Sequence, residues 1–359
     1  MKTKYIFILI LTALLFSSAS NAQKKRKTPS KNAITTATTT QNKDNKNLNL
    51  SADELWIKFK EAIEEDCKKD AIYYVKLAAE KGNEFASLIL GEAYYFASDN
   101  LDLEFPVISV RDSTKDIIFR YKPSDFGINK PDYDKAIYYI KNYIDSCSTY
   151  FYDHDYSYEY DIIGFSYYKK SDYKSSLYWE KKSAEKGYSI GMKHYGTMLL
   201  NGEGCAVNPE EGIKWLKKAA DKNDCPSCYL LGHYYYFKTE DTSKAVFWLQ
   251  ELIKRAKQQG FEDTQYYSFS HYLLSFCYNA GEGVDEDDDK AFFYIKKAYD
   301  LEQDNPEYMF WLAKYYKEGI GVEKSSQKAI ELFNKVLESK KSSNDQKEKA
   351  KDELNSLIH

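Results

Sequence analysis

Small, apolar and polar residues alternate along most of this chain with the period of a helix that buries one face. The stretch KKDAIYYVKLAAEKG, Lys68 to Gly82, shows it. Ala71 is followed by Tyr74 at +3, by Ala78 and Ala79 at +7 and +8, and by Gly82 at +11. Offsets of three, seven and eight lie on one side of an α-helix. A glycine just past the last turn tolerates the left-handed backbone that ends a helix. The register returns at Ala136, Ser176, Gly212, Ala245, Ala291 and Ala329. Their +3 positions hold Tyr139, Trp179, Trp215, Trp248 and Tyr294, with Leu332 in the last case, and Gly187 and Asn223 stand where Gly82 does.

A second helix type precedes this one. Its small anchors are Gly91, Gly164, Gly196, Gly232, Ser275 and Ala313, each preceded by an apolar or aromatic residue and followed at +3 by Tyr94, Tyr167, Leu199, Tyr235, Tyr278 or Tyr316. A small anchor flanked in this way lets two helices approach closely. Paired helices repeating every 33 to 46 residues predict an all-α fold, an α-solenoid of about seven helix-pair repeats over residues 51–342. Residues 343–359, polar and helix-prone, suit a C-terminal capping helix. In the last five repeats the two anchors lie 12, 16, 13, 16 and 16 residues apart. The three longer ones contain Gly202-Glu203-Gly204, Gly281-Glu282-Gly283 and Gly319-Ile320-Gly321. None continues into the Lys-Ser/Thr of a nucleotide loop, so the Gly-x-Gly reads as a longer turn between paired helices.

The register breaks once. Gly91 and Ala136 are 45 residues apart, and the excess, residues 98–130, contains the β-branched and aromatic runs LEFPVISV and KDIIFRY around Arg111–Thr114. That pattern predicts a β-hairpin insertion in the second repeat, with Pro106 confining its strand to an edge. Insertions in repeat proteins commonly sit on the binding face, so this segment is a candidate partner contact.

The segments LGHYYYF, GEGV, DKAFFYIKKA and KLAAEKG resemble the Sel-one-like repeat family, a relative of tetratricopeptide repeats, over about residues 51–340. The resemblance implies an α-solenoid whose first helices line a concave face. On that geometry the positions one and four after the first-helix anchor, and three before it, face the groove. They include Glu92 and Tyr95; Phe165 and Tyr168; Tyr229, His233 and Tyr236; and Tyr272, Phe276 and Asn279. Cysteine-rich secreted members of the family staple adjacent helices with cysteines eight apart, and some are linked to β-lactam binding. Here Cys228 fills the second slot of that pattern but Ala220 stands in the first.

Lys2, Lys4, an apolar run from Tyr5 to Phe16, and Ser20 and Ala22 before Gln23 read as a secretory signal peptide over residues 1–22, since the run is too short to span a bilayer. Export to the periplasm or beyond, with cleavage near Ala22, is the expectation. Residues 23–50 carry seven basic residues and one acid, Asp44, with few bulky apolar side chains, a composition expected to stay an unfolded tether. Residues 51–359 keep 42 basic and 54 acidic residues, a net charge of −12. So acidic a body argues against a nucleic-acid partner, and no later stretch is long and apolar enough for a transmembrane helix.

Candidate chemistry is sparse. Cys225 and Cys228 form a C-x-x-C that could be a disulfide or free thiols; without a preceding strand, a redox site is disfavoured. Six cysteines allow 15 pairings. Asp285, Asp287 and Asp289 have calcium-loop spacing, but Lys290 and Lys296 occupy the places of the Gly and Glu such a loop needs, so these acids read as a helix N-terminus. His154 lies between Asp153 and Asp155 in a tyrosine-rich stretch, and His194, His233, His271 and His359 share no repeat register. Neither a metal site, nor a cofactor, nor a catalytic arrangement is read from these residues. With 34 tyrosines, the chain reads as a non-enzymatic scaffold. Its partner would be a protein or peptide, or alternatively a glycan; a β-lactam or peptidoglycan hydrolase is the contrasting class.

Overall fold

The computed structural model describes residues 47, 49–97, 105–112, 115–147, 155–239, 241–260, 262 and 264–358. The predicted signal peptide, most of the tether, parts of the insertion (98–104 and 113–114), Asp153, His154 and His359 lie outside them. No described helix is long and apolar enough to cross a membrane.

The chain divides into two compact units, Met1–Gly191 with Gly202–Ala206, and Met192–Asn201 with Val207–His359. In the first, α1 (Ala52–Glu64), α2 (Lys68–Glu80), α3 (Glu84–Phe96), α4 (Tyr133–Cys147), α5 (Ser157–Lys169) and α6 (Tyr173–Glu185) follow one another, each packed on its sequence neighbour. α7 (Ser189–Asn201) comes next. The second unit continues with α8 (Pro209–Asp221), α9 (Cys225–Tyr234) ending in a π turn (Tyr235–Thr239), α10 (Thr242–Gln259), α11 (Gln265–Ala280), α12 (Asp288–Leu301), α13 (Pro306–Glu318), α14 (Ser326–Glu338) and α15 (Asn344–Ile358). These fifteen described helices make the all-helical solenoid, and α15 packs on α14 as the last layer.

Between α3 and α4, β1 (Phe105–Asp112) pairs antiparallel with β2 (Lys115–Tyr121), with a register shift between Phe105 and Ile108. A single 3-10 turn, Pro123–Phe126, follows. β2 packs on α1 and the 3-10 turn on α3.

The anchors explain how the helices pair. A Cβ on Gly91 would meet the Ile140 side chain at 2.6 Å, and one on Gly232 would meet Leu249 at 2.9 Å. Each first-helix glycine is thus the seat for the residue four places after the second-helix anchor. The +3 rings cover the joint: Tyr94 stacks on Tyr139 at 5.9 Å and Tyr278 on Tyr294 at 5.4 Å. The lysine before the second-helix anchor lies over the same ring, as Lys135 over Tyr94 at 4.8 Å and Lys290 over Tyr278 at 5.1 Å, a cation–π contact. This joint accounts for part of the tyrosine excess. Gly82, Gly187 and Asn223 all take positive φ, at 90°, 97° and 64°.

The Gly-x-Gly segments are turns, with a second task. After each, the N-cap of the next helix donates its N–H to the +3 residue of the helix before: Asn208 to Leu199 at 2.8 Å, Asp287 to Tyr278 at 2.9 Å, Ser325 to Tyr316 at 2.8 Å. The second glycine also lies against the first residue of an earlier second helix: Gly204 on Tyr173, Gly283 on Thr242, Gly321 on Asp288. The acids of the calcium-like stretch follow their helix-terminus reading, since Asp287 caps α12, accepting from the Lys290 N–H at 2.9 Å and pairing with its ammonium at 2.7 Å.

Candidate partner-binding surfaces

In the first unit the aromatic residues of α3 and α5 meet. Tyr95 and Phe165 pack edge to face at 5.9 Å, and Phe165 stacks on Tyr168 at 6.3 Å. Tyr168 donates its hydroxyl to Glu203 in the Gly-x-Gly turn at 3.0 Å. All three rings are half-buried, so each keeps an accessible part. Burial, with Asp161 and Glu180 beside it, pushes the Tyr95 phenol far above its ordinary value.

Carboxylates set this unit apart. Glu92, Glu159, Asp161 and Glu180 are all buried, whereas no Lys or Arg of the unit is buried among the described residues, and the second unit buries no carboxylate among its own. Glu180 occupies the seat filled by Ile140, Leu216 and Leu249 in other repeats, with Gly164 against it.

The second unit brings a different set of rings together. Tyr229 packs on His233 at 5.7 Å and on Phe269 at 5.9 Å, and His233 lies 4.6 Å from Phe237. Burial lowers the His233 imidazole to about 4, so it is uncharged at neutral pH. The π turn brings Tyr236 and Phe237 edge to face at 4.8 Å. Further along, Phe276 stands edge-on to Tyr272 and to Trp311, each at 4.8 Å. Glu307 accepts from the Tyr272 hydroxyl at 3.0 Å and from Trp311 Nε1 at 2.8 Å.

Of the sequence candidates, Tyr95, Phe165 and Tyr168 come together in one unit, and His233, Tyr236, Phe276 and Asn279 are half-buried in the other. Tyr229 and Tyr272 are corrected: at 3% and 5% exposure their rings serve the packing of neighbouring helices. Glu92 is likewise buried rather than facing solvent. Spacing alone missed Phe237, Phe269, Glu307 and Trp311, which lie next to the predicted positions but at offsets the groove rule does not use.

Seven stretches of the chain, residues 61–83, 124–141, 156–188, 189–224, 225–255, 268–302 and 306–336, match the Sel1 repeat. The chain belongs to the Sel1 repeat family. No curated protein matches it. Among solved structures it is similar to c5321, a protective antigen present in uropathogenic Escherichia coli strains displaying an SLR fold, at 21% identity and a TM-score of 0.52. That match covers 81% of this chain and 56% of the antigen, so this chain spans little more than half of the antigen's length. It is also similar to a Sel1 repeat protein from Oxalobacter formigenes, at 20% identity and a TM-score of 0.45, over 62% of this chain and 94% of that one. The Sel1 repeat solenoid typically serves as a scaffold for protein–protein interaction.

Two features of this Sel1 repeat chain bear on what its surface can do. No disulfide joins the described cysteines. Cys225 and Cys228 share the first turn of α9, where burial pushes the Cys228 thiol up to about 12 and the Cys225 thiol upward as well. A nucleophilic thiolate would need the opposite shift. The second feature is an aromatic position two residues after the second-helix anchor. It is exposed at Tyr138 (59%), Tyr178 (54%), Phe247 (55%) and Phe293 (58%). Each is braced edge to face by the ring that follows it, at 5.1 to 5.4 Å.

Proposed function

We propose that this Sel1 repeat protein is an exported, non-enzymatic adaptor that holds a protein or peptide partner on the aromatic faces of its first helices. The observation that carries the reading is the contiguous half-buried set Tyr95–Phe165–Tyr168. Rings held by their neighbours but open on one side bury much area on binding with little loss of side-chain freedom. Tyr236, Phe276, His233 and Asn279 offer a second set. On this reading the groove is concave, as in tetratricopeptide-type repeats, and residues 98–130 supply a hairpin that adds a separate contact. Family membership supports a protein partner. The N-terminal pattern of residues 1–22 supports export.

The test is cross-linking of the tagged mature protein in its native envelope, with captured proteins identified by mass spectrometry, beside Phe165→Ala/Tyr168→Ala and a variant lacking 98–130. Specific partners lost in the double variant support the adaptor reading. Turnover of a chromogenic β-lactam by the purified chain would overturn it in favour of the hydrolase class.

A second reading rests on the exposed rings of the second helices. Tyr138 and Tyr178 in one unit, and Phe247 and Phe293 in the other, are more open than any first-helix ring considered above, and large exposed aromatics mark interaction sites when they cluster.

A further inference from the structure

Glu159 lies five residues before its first-helix anchor, a buried position that three other repeats give to the small residues Ala86, Ser227 and Ser270 and the last gives to Tyr308. Glu159 is 6% exposed, and its Oε2 has no hydrogen-bond partner. Glu92, 7% exposed, lies on α3, near enough for its charge to act on Glu159. Glu92 accepts from the Tyr121 hydroxyl at 3.0 Å and also from Tyr158. Tyr121 is the last residue of β2 and is fully buried, so Glu92 is the polar anchor that ties the end of the inserted segment to α3.

A buried carboxylate without a cation must either accept hydrogen bonds or stay protonated. Among the described residues, the groups that act on Glu159 and Glu92 supply no positive charge. From α4 come the Tyr143 phenol and the Cys147 thiol, which is itself pushed up to about 11 by burial and by Glu84 and Glu159. From Glu159's own segment come Asp155, Tyr156 and Tyr158. On α6, Glu180 lies against Gly164. Among the lysines of these helices, Lys141 holds the Tyr167 hydroxyl at 3.0 Å, and Lys182 lies over the Tyr160, Tyr178 and Trp179 rings. Burial first, and then Glu92, raises the Glu159 carboxyl to about 7, and burial raises Glu92 also.

We propose that Glu159 is a pH-sensitive latch, closed while its carboxyl is protonated, whose ionisation loosens the packing of α3, α4 and α5. The proton is held more tightly in the closed form than in the open one. Opening therefore becomes about tenfold more favourable per pH unit between the ordinary glutamate value and about 7, and levels off above that. This regulation does not depend on the identity of any partner.

The experiment is hydrogen exchange on the full mature chain from about pH 5 to 8, corrected for the intrinsic pH dependence of exchange. It is read at amides of α4 and α5, in the parent and in Glu159→Gln. The expected result is an opening equilibrium that rises steeply to about pH 7 in the parent and is nearly flat in the variant. A flat profile in the parent, or an equal rise in Glu159→Gln, overturns the latch. Should Glu159→Gln fail to fold, infrared spectroscopy of the parent alone decides. A protonated-carboxyl band that persists above pH 6 and fades near 7 supports the proposal, and its complete loss below about pH 5 overturns it.

Discussion

The α-carbon of Gly283 lies directly against the backbone of Thr242, the first residue of α10, so that any Cβ at Gly283 would overlap the Thr242 carbonyl group. The contact joins a turn in one repeat to the start of a helix in the repeat before. Gly204 on Tyr173 and Gly321 on Asp288 repeat the relationship. A motif that resembles a ligand loop is therefore a spacer where only backbone fits.

Gly283→Ala should be costly for two reasons. Its φ of 80° penalises a side chain by ~1–2 kcal/mol, and the overlap adds roughly 1–3 kcal/mol of strain. Gly281, two residues earlier, shares the left-handed backbone, but a Cβ there would find its closest neighbour at 3.4 Å. Gly281→Ala should lose only the first amount. Urea unfolding of the two variants checks the difference, and equal losses would mean that the approach to Thr242 is not tight.

The helix-pair register was readable because each joint is made by sequence neighbours. Gly91 and Ile140, or Tyr278 and Tyr294, belong to consecutive helices, so a small residue and a ring at fixed offsets announce the contact. What escaped depends on residues with no fixed offset. That the second glycine rests on an earlier helix follows from the stacking of repeats. The burial of Tyr229 and Tyr272 follows from Phe269, Tyr308 and Glu307, which cover them from the next first helix. Glu159 and Glu180 look in sequence like ordinary surface acids. Only a comparison with Ser227, Ser270 and Leu216 at the same repeat positions marks them as interior.

In the second unit, acid should destabilise through His271. This imidazole is buried, its Nδ1 lies 2.8 Å from the Tyr267 carbonyl oxygen, and burial lowers it to about 4 from 6.5. The unfolded chain binds the proton more readily than the folded one. Stability is therefore complete above about pH 6.5 and falls as pH drops toward 4, by up to roughly 3 kcal/mol for a shift of this size. The sign is opposite to that of Glu159, whose raised value penalises the folded form as pH increases from the ordinary glutamate range to about 7. His233, lowered to about 4 as well, adds a loss of the same sign, so His271→Gln should reduce but not abolish the acid loss in the second unit, measured by thermal unfolding at pH 4.5 and 7; an unchanged loss would assign it to His233 and other groups.

Thiol labelling of the native chain should be biphasic. Cys67 and Cys205 are partly exposed, while Cys147, Cys225, Cys228 and Cys277 are buried, so two thiols should react at once and four only on opening. Cys228 should be among the slowest, because its thiol is both covered and, at about 12, almost wholly protonated at neutral pH. Mass spectrometry of the labelled peptides gives the order. Rapid modification of Cys228 would reopen a redox role for the C-x-x-C.

The exposed rings separate the two surfaces on which a partner could rest. Tyr138 and Tyr178 touch their own helix neighbours Tyr139 and Trp179 but leave more than half of their area in solvent. Tyr138→Ser/Tyr178→Ser should therefore change unfolding free energy by about 1 kcal/mol or less, the value of lost edge-to-face contacts. Tyr168→Ala removes a half-buried ring and the hydrogen bond to Glu203, and should cost about 2 kcal/mol or more. If a partner rests on the first-helix face, only Phe165→Ala/Tyr168→Ala should weaken its capture, and Tyr138→Ser/Tyr178→Ser should retain it. If capture is instead lost in Tyr138→Ser/Tyr178→Ser while stability holds, the second helices carry the interface, because those rings contribute little to the fold that loss of binding could be traced to.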